Sequence, residues 1–595
     1  MLRALLVLTA VWLTLAVSPG RQISQATAAT PLHVQIDQLI EKAHPDFQKM
    51  AAPPASDAEF FRRVHLDLVG LIPTAAETRA FLADKAPTAE KRSQLIARLL
   101  DSPEHARRMQ YVFDEMLVER RRDSTVADAE WREYLRQSFQ QHKPWDQLAE
   151  EILGADGKEL RPAAKFYLAR NAELEVVTRD VGRIFLGVDL ECAQCHDHPS
   201  IDDYYQRHYF GINAFLQRTY LFTDPKTKEK VLGEKAEGEA SFTSVFTQES
   251  GETGPRLMDL EAIPDPDGTE KQYLLAPTKQ QRGVPRYSRR AQLARAMASD
   301  QNRPFRRNMA NRLWALMMGR GLVEPLDLHT ADNPPSHPEV LELLTDALLE
   351  QDYDLDYLLR ELALTKTYQR SSEYSGSSPP PAPETFAIGL LKPLSSEQLA
   401  WSALQATGLR QVMLEAKIAS QEKQNVALIA AAKKQAALPA EEPPGPVYEE
   451  PPAPNAPPET AAPLPIDTAD LRWQEEVLHE AFQGSVNQFV TLFSEQAGQT
   501  TTFQAAPSHA LFFINGTLIR DWLQPQPGRL TERLAHIEPP AALTEELFLA
   551  VLGREPTADE ATETVAYLAT VDDQKAALQE LAWALLSSAE FRFNH

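Results

Sequence analysis

The sequence predicts a mainly α fold: two helical domains, a small β- and loop-rich insertion, and a disordered Pro-rich excursion. Three observations lead there. Apolar residues recur at helical spacing over most of the chain. From about Phe222 to Pro285 that texture breaks, and Gly, Pro, Thr and Lys mix with short alternating runs such as Ala240 to Thr247. Between Leu438 and Ile466, Pro, Ala and Glu replace the residues that build a core.

The elements follow in order. Arg3 and the apolar run Ala4 to Val17, closed by Ser18-Pro19-Gly20, read as a secretory signal. The run is short for a bilayer-spanning helix, which needs about 20 apolar residues. Ala26-Thr27-Ala28 offers a small-residue cleavage site, so residues 1–28 are assigned to the signal and the chain to the periplasm or exterior. A first helical domain spans 33–218. In it, Phe60, Phe61, Val64, Leu68 and Val69 share one face of a helix begun at Asp57. Pro73 ends that face, and Thr74 with Glu77 forms a capping box for the next helix. Helices are expected over Thr88 to Leu100, Pro103 to Arg121, Ala127 to His142 and Ala172 to Leu190.

The insertion occupies 219–287. The second helical domain opens at 288–410, with helices over Arg289–Ser299, Phe305–Met318, Pro338–Leu349 and Leu355–Leu364. Residues 411–466 read as a solvated helix, Gln411 to Ala437, leading into the Pro-rich excursion. Residues 467–595 complete the second domain, with Gly553 stopping one helix and Pro556 to Asp559 starting another. No solenoid period runs through the chain. No second long apolar run follows the signal, so no transmembrane segment is expected in the mature chain.

The formal net charge of −24 argues against a nucleic-acid partner, which favours a basic face. It also disfavours docking on anionic lipid. The sequence contains no Gly-rich phosphate loop, no Gly-x-Ser-x-Gly elbow and no His-Glu-x-x-His pair.

Chemistry concentrates at the only two cysteines. Cys192-Ala-Gln-Cys195-His196 has the spacing of c-type haem attachment, in which two thiols add to two vinyl groups and the next residue ligates the iron. Phe185, Tyr204, Tyr205, Tyr209 and Phe215 flank the motif and are candidates to wall a ring. Met297, Met309, Met317, Met318 and His337 are candidate distal ligands. Two other readings stay open. Cys192, Cys195, His196 and His198 are zinc-type ligands, although four within seven residues strain a tetrahedron and call for help from Asp202, Asp203 or His208. Alternatively the pair is a local disulfide, with both histidines ordinary loop residues.

Several segments resemble one family. In the first half they are Arg63-Val-His-Leu-Asp-Leu-Val-Gly-Leu-Ile-Pro-Thr74 and Phe185-Leu-Gly-Val-Asp-Leu-Glu-Cys-Ala-Gln-Cys-His-Asp-His-Pro199. In the second they are Asn311-Arg-Leu-Trp-Ala-Leu-Met-Met-Gly-Arg-Gly-Leu-Val323, Asn333-Pro-Pro-Ser-His-Pro338, Tyr368-Gln-Arg-Ser-Ser372 and Leu585-Leu-Ser-Ser-Ala-Glu-Phe-Arg-Phe-Asn-His595. Together they resemble an exported two-domain family abundant in planctomycetes. Its first domain is of unknown function and labelled cytochrome-like; its second is that domain's usual partner. The resemblance implies an envelope protein and a redox or envelope partner, and leaves open whether the protein is an enzyme. Two departures stand out. Gln206-Arg-His-Tyr-Phe-Gly211 lies where relatives tend to carry an acid and a second tyrosine, and Leu328 follows Asp327 where a second acid is common.

Remaining charged features have plain structural readings. Arg303, Arg306, Arg307, Asn311 and Arg312 suit an anionic sugar, but salt bridges within an acidic chain explain them more simply. Asn333 to Pro338 is a stiff loop with Pro338 at a first helical position. Glu115, Glu119 and Arg120 to Arg122 read as a solvated helix face. For the protein as a whole, two functions remain: a haem-bearing redox protein, or a metal-dependent enzyme or binding module acting on extracellular polysaccharide.

Overall fold

A computed structural model describes residues 30–121, 125–158, 161–246, 248, 250–268, 271–374, 376, 379–436, 464–493 and 517–595. The stretch 1–28 expected to be a signal lies outside the described residues, as does the Pro-rich stretch from residue 437 to residue 463. The architecture is helical, with only two-stranded sheets among the described residues.

Local chemistry explains where helices begin. Ser56 accepts from the Glu59 amide and opens Asp57–Leu68. Thr74 and Glu77 form the reciprocal capping box of Ala75–Ala83. Pro338 takes the first position of Pro338–Glu350, and Asp354 caps Leu355–Leu364. Gly553, at φ 69°, ends Pro540–Leu552 in the left-handed conformation, and Thr557 then caps Ala558–Leu568.

Two helices end sooner than periodicity predicts. Pro103–Val118 stops before Arg121 because Glu119 and Arg120 adopt φ of 53° and 58°. Leu174–Val181 widens into a π-helical turn over Gly182–Leu186 and stops at Gly187 (φ 72°), well short of Leu190. A Cβ on Gly187 would lie 2.7 Å from the His329 ring and 2.8 Å from the Asn308 amide oxygen, so the close approach of these segments requires glycine.

The expected insertion folds as three antiparallel hairpins. They pair Thr219–Thr223 with Lys230–Glu234, Ala240–Thr243 with Ser250–Thr253, and Tyr273–Leu275 with Val284–Pro285. Helix Leu409–Ala436 contacts Ser396–Ala406 and Leu471–Phe493, with Leu409, Met413 and Leu414 packed against the core.

The two helical halves are not separate bodies. Their buried side chains form one continuous core from Leu32 to Phe591. Leu32–Ala43 packs on Pro338–Glu350, Trp145–Gly154 on Arg289–Met297, and Pro103–Val118 on Leu471–Phe493. Trp145 stacks on Phe185 from its own half and on Phe305 from the other, at ring separations of 5.7 and 5.4 Å.

The seam between the halves is locked at Asp67, which is buried. Its carboxylate accepts from Tyr368 Oη at 2.7 Å, Lys392 Nζ at 2.5 Å and Asn594 Nδ2 at 2.8 Å. Arg63 donates to the Tyr368 and Arg370 carbonyls, and Glu59 accepts from Ser371 and Ser372. The motif Arg63–Thr74 thus meets Tyr368–Ser372 and the C-terminal motif at one buried polar hub. Burial raises the Tyr368 hydroxyl well above its ordinary pKa, and the Asp67 charge adds to the effect.

Candidate cofactor site at the cysteine loop

After the Gly187 turn, Cys192–Gln194 makes a single 3-10 turn. Cys195 N–H donates to the Cys192 carbonyl at 3.3 Å, and both thiols are free and exposed. The loop is fixed from behind. Gln206 donates its amide N–H to Asp197 Oδ1 and its side chain to the Gln194 carbonyl, at 2.7 and 3.3 Å. Val245 N–H donates to the Cys195 carbonyl at 3.1 Å, which brings the tip of the second hairpin beside the motif. There the Phe246 ring lies 4.5 Å from His196 and is 73% exposed, with Val245 55% exposed next to it.

The two histidines differ in chemistry. His196 Nδ1 lies 2.6 Å from the Asp197 carbonyl. A carbonyl only accepts, so this contact assigns the proton to Nδ1 and leaves Nε2 with its lone pair. His198 is the reverse: its Nδ1 accepts from Ser200 N–H at 3.2 Å. A neutral His198 then carries its proton on Nε2 and offers no free lone pair.

The second half supplies the floor of the loop. Asp189 N–H donates to the Asp327 carbonyl at 2.9 Å, and His329 N–H to the Gly187 carbonyl at 3.0 Å. Tyr204 Oη donates to the His329 carbonyl, and Ala331 N–H to Asp203. Asn308 holds the Ile184 carbonyl at 2.7 Å and Arg312 the Arg183 carbonyl at 3.0 Å. The motifs of both halves therefore build one site. Burial, with Arg307 and Arg312 nearby, lowers His329 to about 3, so it is neutral here.

Beneath this floor lies a charge network that local sequence does not reveal. Asp180 is fully buried and meets Arg170 at 2.6 Å, Arg121 at 3.1 Å, and Arg179 and Arg183 at 3.3 Å. Glu119 accepts from Arg183 and Arg121. Arg120 meets Glu397 at 2.8 Å. Glu119 and Arg120 are thus not on a solvated face: their left-handed backbone turns both side chains inward. Burial opposes the Asp180 charge, but its arginines hold the carboxyl below the usual range.

Other expected site residues lie elsewhere. Phe185 and Phe215 are core residues, and Tyr209 packs edge-on against Phe210. Tyr204 is buried with its ring edge toward His198; Tyr205 meets His208 and the Arg207 guanidinium. Met297, Met309, Met317 and Met318 are buried in the core, and the Met297 sulfur accepts from Asn302. His337 sits between His44 and Phe386, at ring separations of 6.0 and 5.6 Å. Among the described residues no group of three His, Cys, Asp or Glu side chains is arranged to hold a metal ion. His208 is engaged with Asp259 at 3.1 Å, and Asp203 with Ala331. The arginine cluster pairs internally: Arg303 with Glu342 and Asp346, and Arg307 with Glu342.

These features define a helical protein of two interlocked halves, with an exposed Cys-x-x-Cys-His loop resting on a floor supplied by the second half. The chain belongs to the proteins that join two domains of unknown function in a set order. Residues 35–220 match PSCyt2, protein of unknown function (DUF1549), and residues 289–568 match PSD1, protein of unknown function (DUF1553). No curated protein and no solved structure matches the chain.

Proposed function

We propose that this is an exported cell-envelope protein carrying c-type haem at Cys192, Cys195 and His196, with a redox or electron-transfer role. The observation that carries the reading is the His196 hydrogen bond: Nδ1 is spent on the Asp197 carbonyl, which orients the ring and leaves Nε2 able to ligate. Both thiols are free and exposed, hence open to attachment. Each thiol would add across one vinyl group, forming one S–C and one C–H bond at the expense of the S–H bond and the C=C π bond, with no oxidant consumed. Bound haem supplies reversible one-electron transfer at its iron. Phe246 and Val245 provide apolar surface beside the thiols that a porphyrin would cover. Export rests on the N-terminal apolar run. Among the described residues no helix is long and apolar enough to cross a membrane.

The test is expression with a haem-attachment system, followed by a visible spectrum of denatured protein. The expected result is covalently retained haem. Cys192→Ala and Cys195→Ala should each remove one thioether link, and His196→Ala should change the coordination spectrum. His198→Ala should have the smallest effect, because its Nδ1 already accepts a backbone hydrogen bond. Absence of covalent haem would end the reading. A metal site would instead make His198 as sensitive as His196 and the fold sensitive to chelators.

A further inference from the structure

Helix Leu409–Ala436 joins the body through its first turns, where Leu409, Met413 and Leu414 pack on the core. Beyond Leu414 none of its described side chains belongs to that core. Further along, Asn425 donates Nδ2 to the Ile466 carbonyl at 2.7 Å and accepts from Ile466 N–H at 3.0 Å. This clip holds the segment at Leu464 to Ile466 on the outer part of the helix. The composition there does not suit a solvated helix. Val426 to Ala432 contains no polar residue, and a helix that is apolar all round is ordinarily covered. Yet Val426 is 68% exposed, Leu464 is 82% exposed, and Ile429 and Ile466 also face solvent. Single apolar side chains on a surface need no explanation, whereas a group of them on one feature marks an interaction site.

We infer that this face is the interface of a dimer, and that its occupant is the same helix of a second copy of the chain, packed antiparallel. The order of residues along the face carries the argument. Glu422, Val426, Ile429 and Lys433 follow one another at helical spacing, so they form one stripe, and all four are exposed. A two-fold axis crossing the helix between Ala427 and Leu428 sets Val426 opposite Ile429 of the second copy. The same axis sets Glu422 opposite Lys433 of the second copy, and symmetry makes each contact twice. The apolar centre is then covered by apolar groups, and each end of the stripe meets its opposite charge. Parallel packing in register sets Glu422 against Glu422 and Lys433 against Lys433, so the charge pattern selects the antiparallel arrangement. Ala427 and Ala430 flank the stripe with small side chains, which suits helix axes about 8–10 Å apart. A lipid surface fits less well: it offers no cation in register with Glu422, and the net charge of the chain is −24. The stripe, with Leu464 and Ile466 beside Asn425, makes a small interface, below the roughly 1,200 Å² of total buried area that marks stable complexes, so the dimer is weak and reversible.

Sedimentation equilibrium of the full mature chain, from about 1 to 500 µM, tests this. The expected result is a reversible monomer–dimer equilibrium within that range. Val426→Asp puts a carboxylate at the apolar centre and should weaken the dimer about tenfold or more. Charge reversal reads the register. Glu422→Lys alone and Lys433→Glu alone each set like charges opposite one another, and each should weaken the dimer by roughly threefold to tenfold. The double variant Glu422→Lys with Lys433→Glu restores both pairs and should return the dissociation constant to within about twofold of the unsubstituted value. All these positions are exposed, so the melting temperature of each variant, measured at the lowest concentration, should stay nearly unchanged. Flotation with phosphatidylcholine vesicles should recover no protein. Four results overturn the inference. The first is a monomer at every concentration. The second is a dimer that Val426→Asp leaves intact, which places the interface elsewhere. The third is a double variant no stronger than the single ones, which excludes the antiparallel register. The fourth is vesicle binding that Val426→Asp abolishes, which assigns the face to lipid.

Discussion

The Asp67 hub and the cysteine loop both consist of family motifs, yet they are built in opposite ways. At the hub Arg63, Asp67, Tyr368 and Asn594 are buried, and the Asp67 carboxylate is shared among Tyr368, Lys392 and Asn594. At the loop the thiols are exposed, His196 keeps a free lone pair, and Phe246 faces solvent. The Asp67 carboxylate is fully spent on its three donors, whereas the two thiols and His196 Nε2 are left over. A motif can recur because it holds two domains together or because it does chemistry, and the satisfaction of its polar groups separates the two cases.

The largest way to test this contrast is to break the hub. Asp67→Ala leaves the Lys392 ammonium buried, with only the Leu316 and Met317 carbonyls as partners. Removing one partner of a buried pair typically costs about 3–5 kcal/mol. The expected outcome is a large drop in the urea midpoint, or insoluble protein, since both halves lose their shared anchor. A loss under about 1 kcal/mol would mean that the apolar core alone joins the halves.

Acid should strike the hub helix next. His65 lies in the same motif, with its Nδ1 2.7 Å from the Phe61 carbonyl. Burial pushes it down to about 4. The unfolded value is near 6.5, so the folded state binds fewer protons between those limits. Its contribution is therefore complete above about pH 6.5 and is lost as pH falls toward 4. The loss amounts to about 1.4 kcal/mol per pH unit and about 3 kcal/mol at most. Stability measured from pH 7.5 to 4 should fall less steeply in His65→Leu than in the unsubstituted protein. Parallel profiles would show that His65 charges without penalty.

The smaller effects are those of local caps. Thr74→Ala removes the acceptor for the Glu77 amide and the hydroxyl that bonds the Glu77 carboxylate. It should cost about 1 kcal/mol in chemical denaturation, with an unchanged m-value. An effect near zero would show that packing against Pro540–Leu552 fixes this helix without its cap.

What was legible in the sequence tracks the range of the interactions. Thr74 with Glu77, Pro338 and Gly553 act within a few residues, so the helix boundaries they set could be read directly. The mainly helical class and the β-rich insertion followed from periodicity and its interruption. The Cys-x-x-Cys-His spacing was visible too, because all its atoms are close in sequence. The inward turn at Glu119 and Arg120 was not. Glu119 pairs with Arg183 and Arg120 with Glu397, both distant in sequence, and alternating charge looks the same whether the partner is water or a distant charge. The opposed proton positions of His196 and His198 needed the loop's backbone geometry.

The smallest expected effect is the most informative about the loop. If Cys192 and Cys195 serve chemistry and not cohesion, replacing both with Ala in protein made without haem should shift stability by no more than about 0.5 kcal/mol. The thiols are exposed and unbonded to each other, so no cavity opens and no cross-link is lost. The hydrogen bonds that shape the turn, from Val245 to the Cys195 carbonyl and from Gln206 to the Gln194 carbonyl and Asp197, do not use the sulfurs. Equilibrium denaturation under reducing and oxidising conditions gives the measurement. A disulfide would reveal itself as a loss of about 2–4 kcal/mol on reduction, reproduced by the double substitution. Indifference to both, set beside the collapse expected of Asp67→Ala, would locate cohesion in one set of motifs and chemistry in the other.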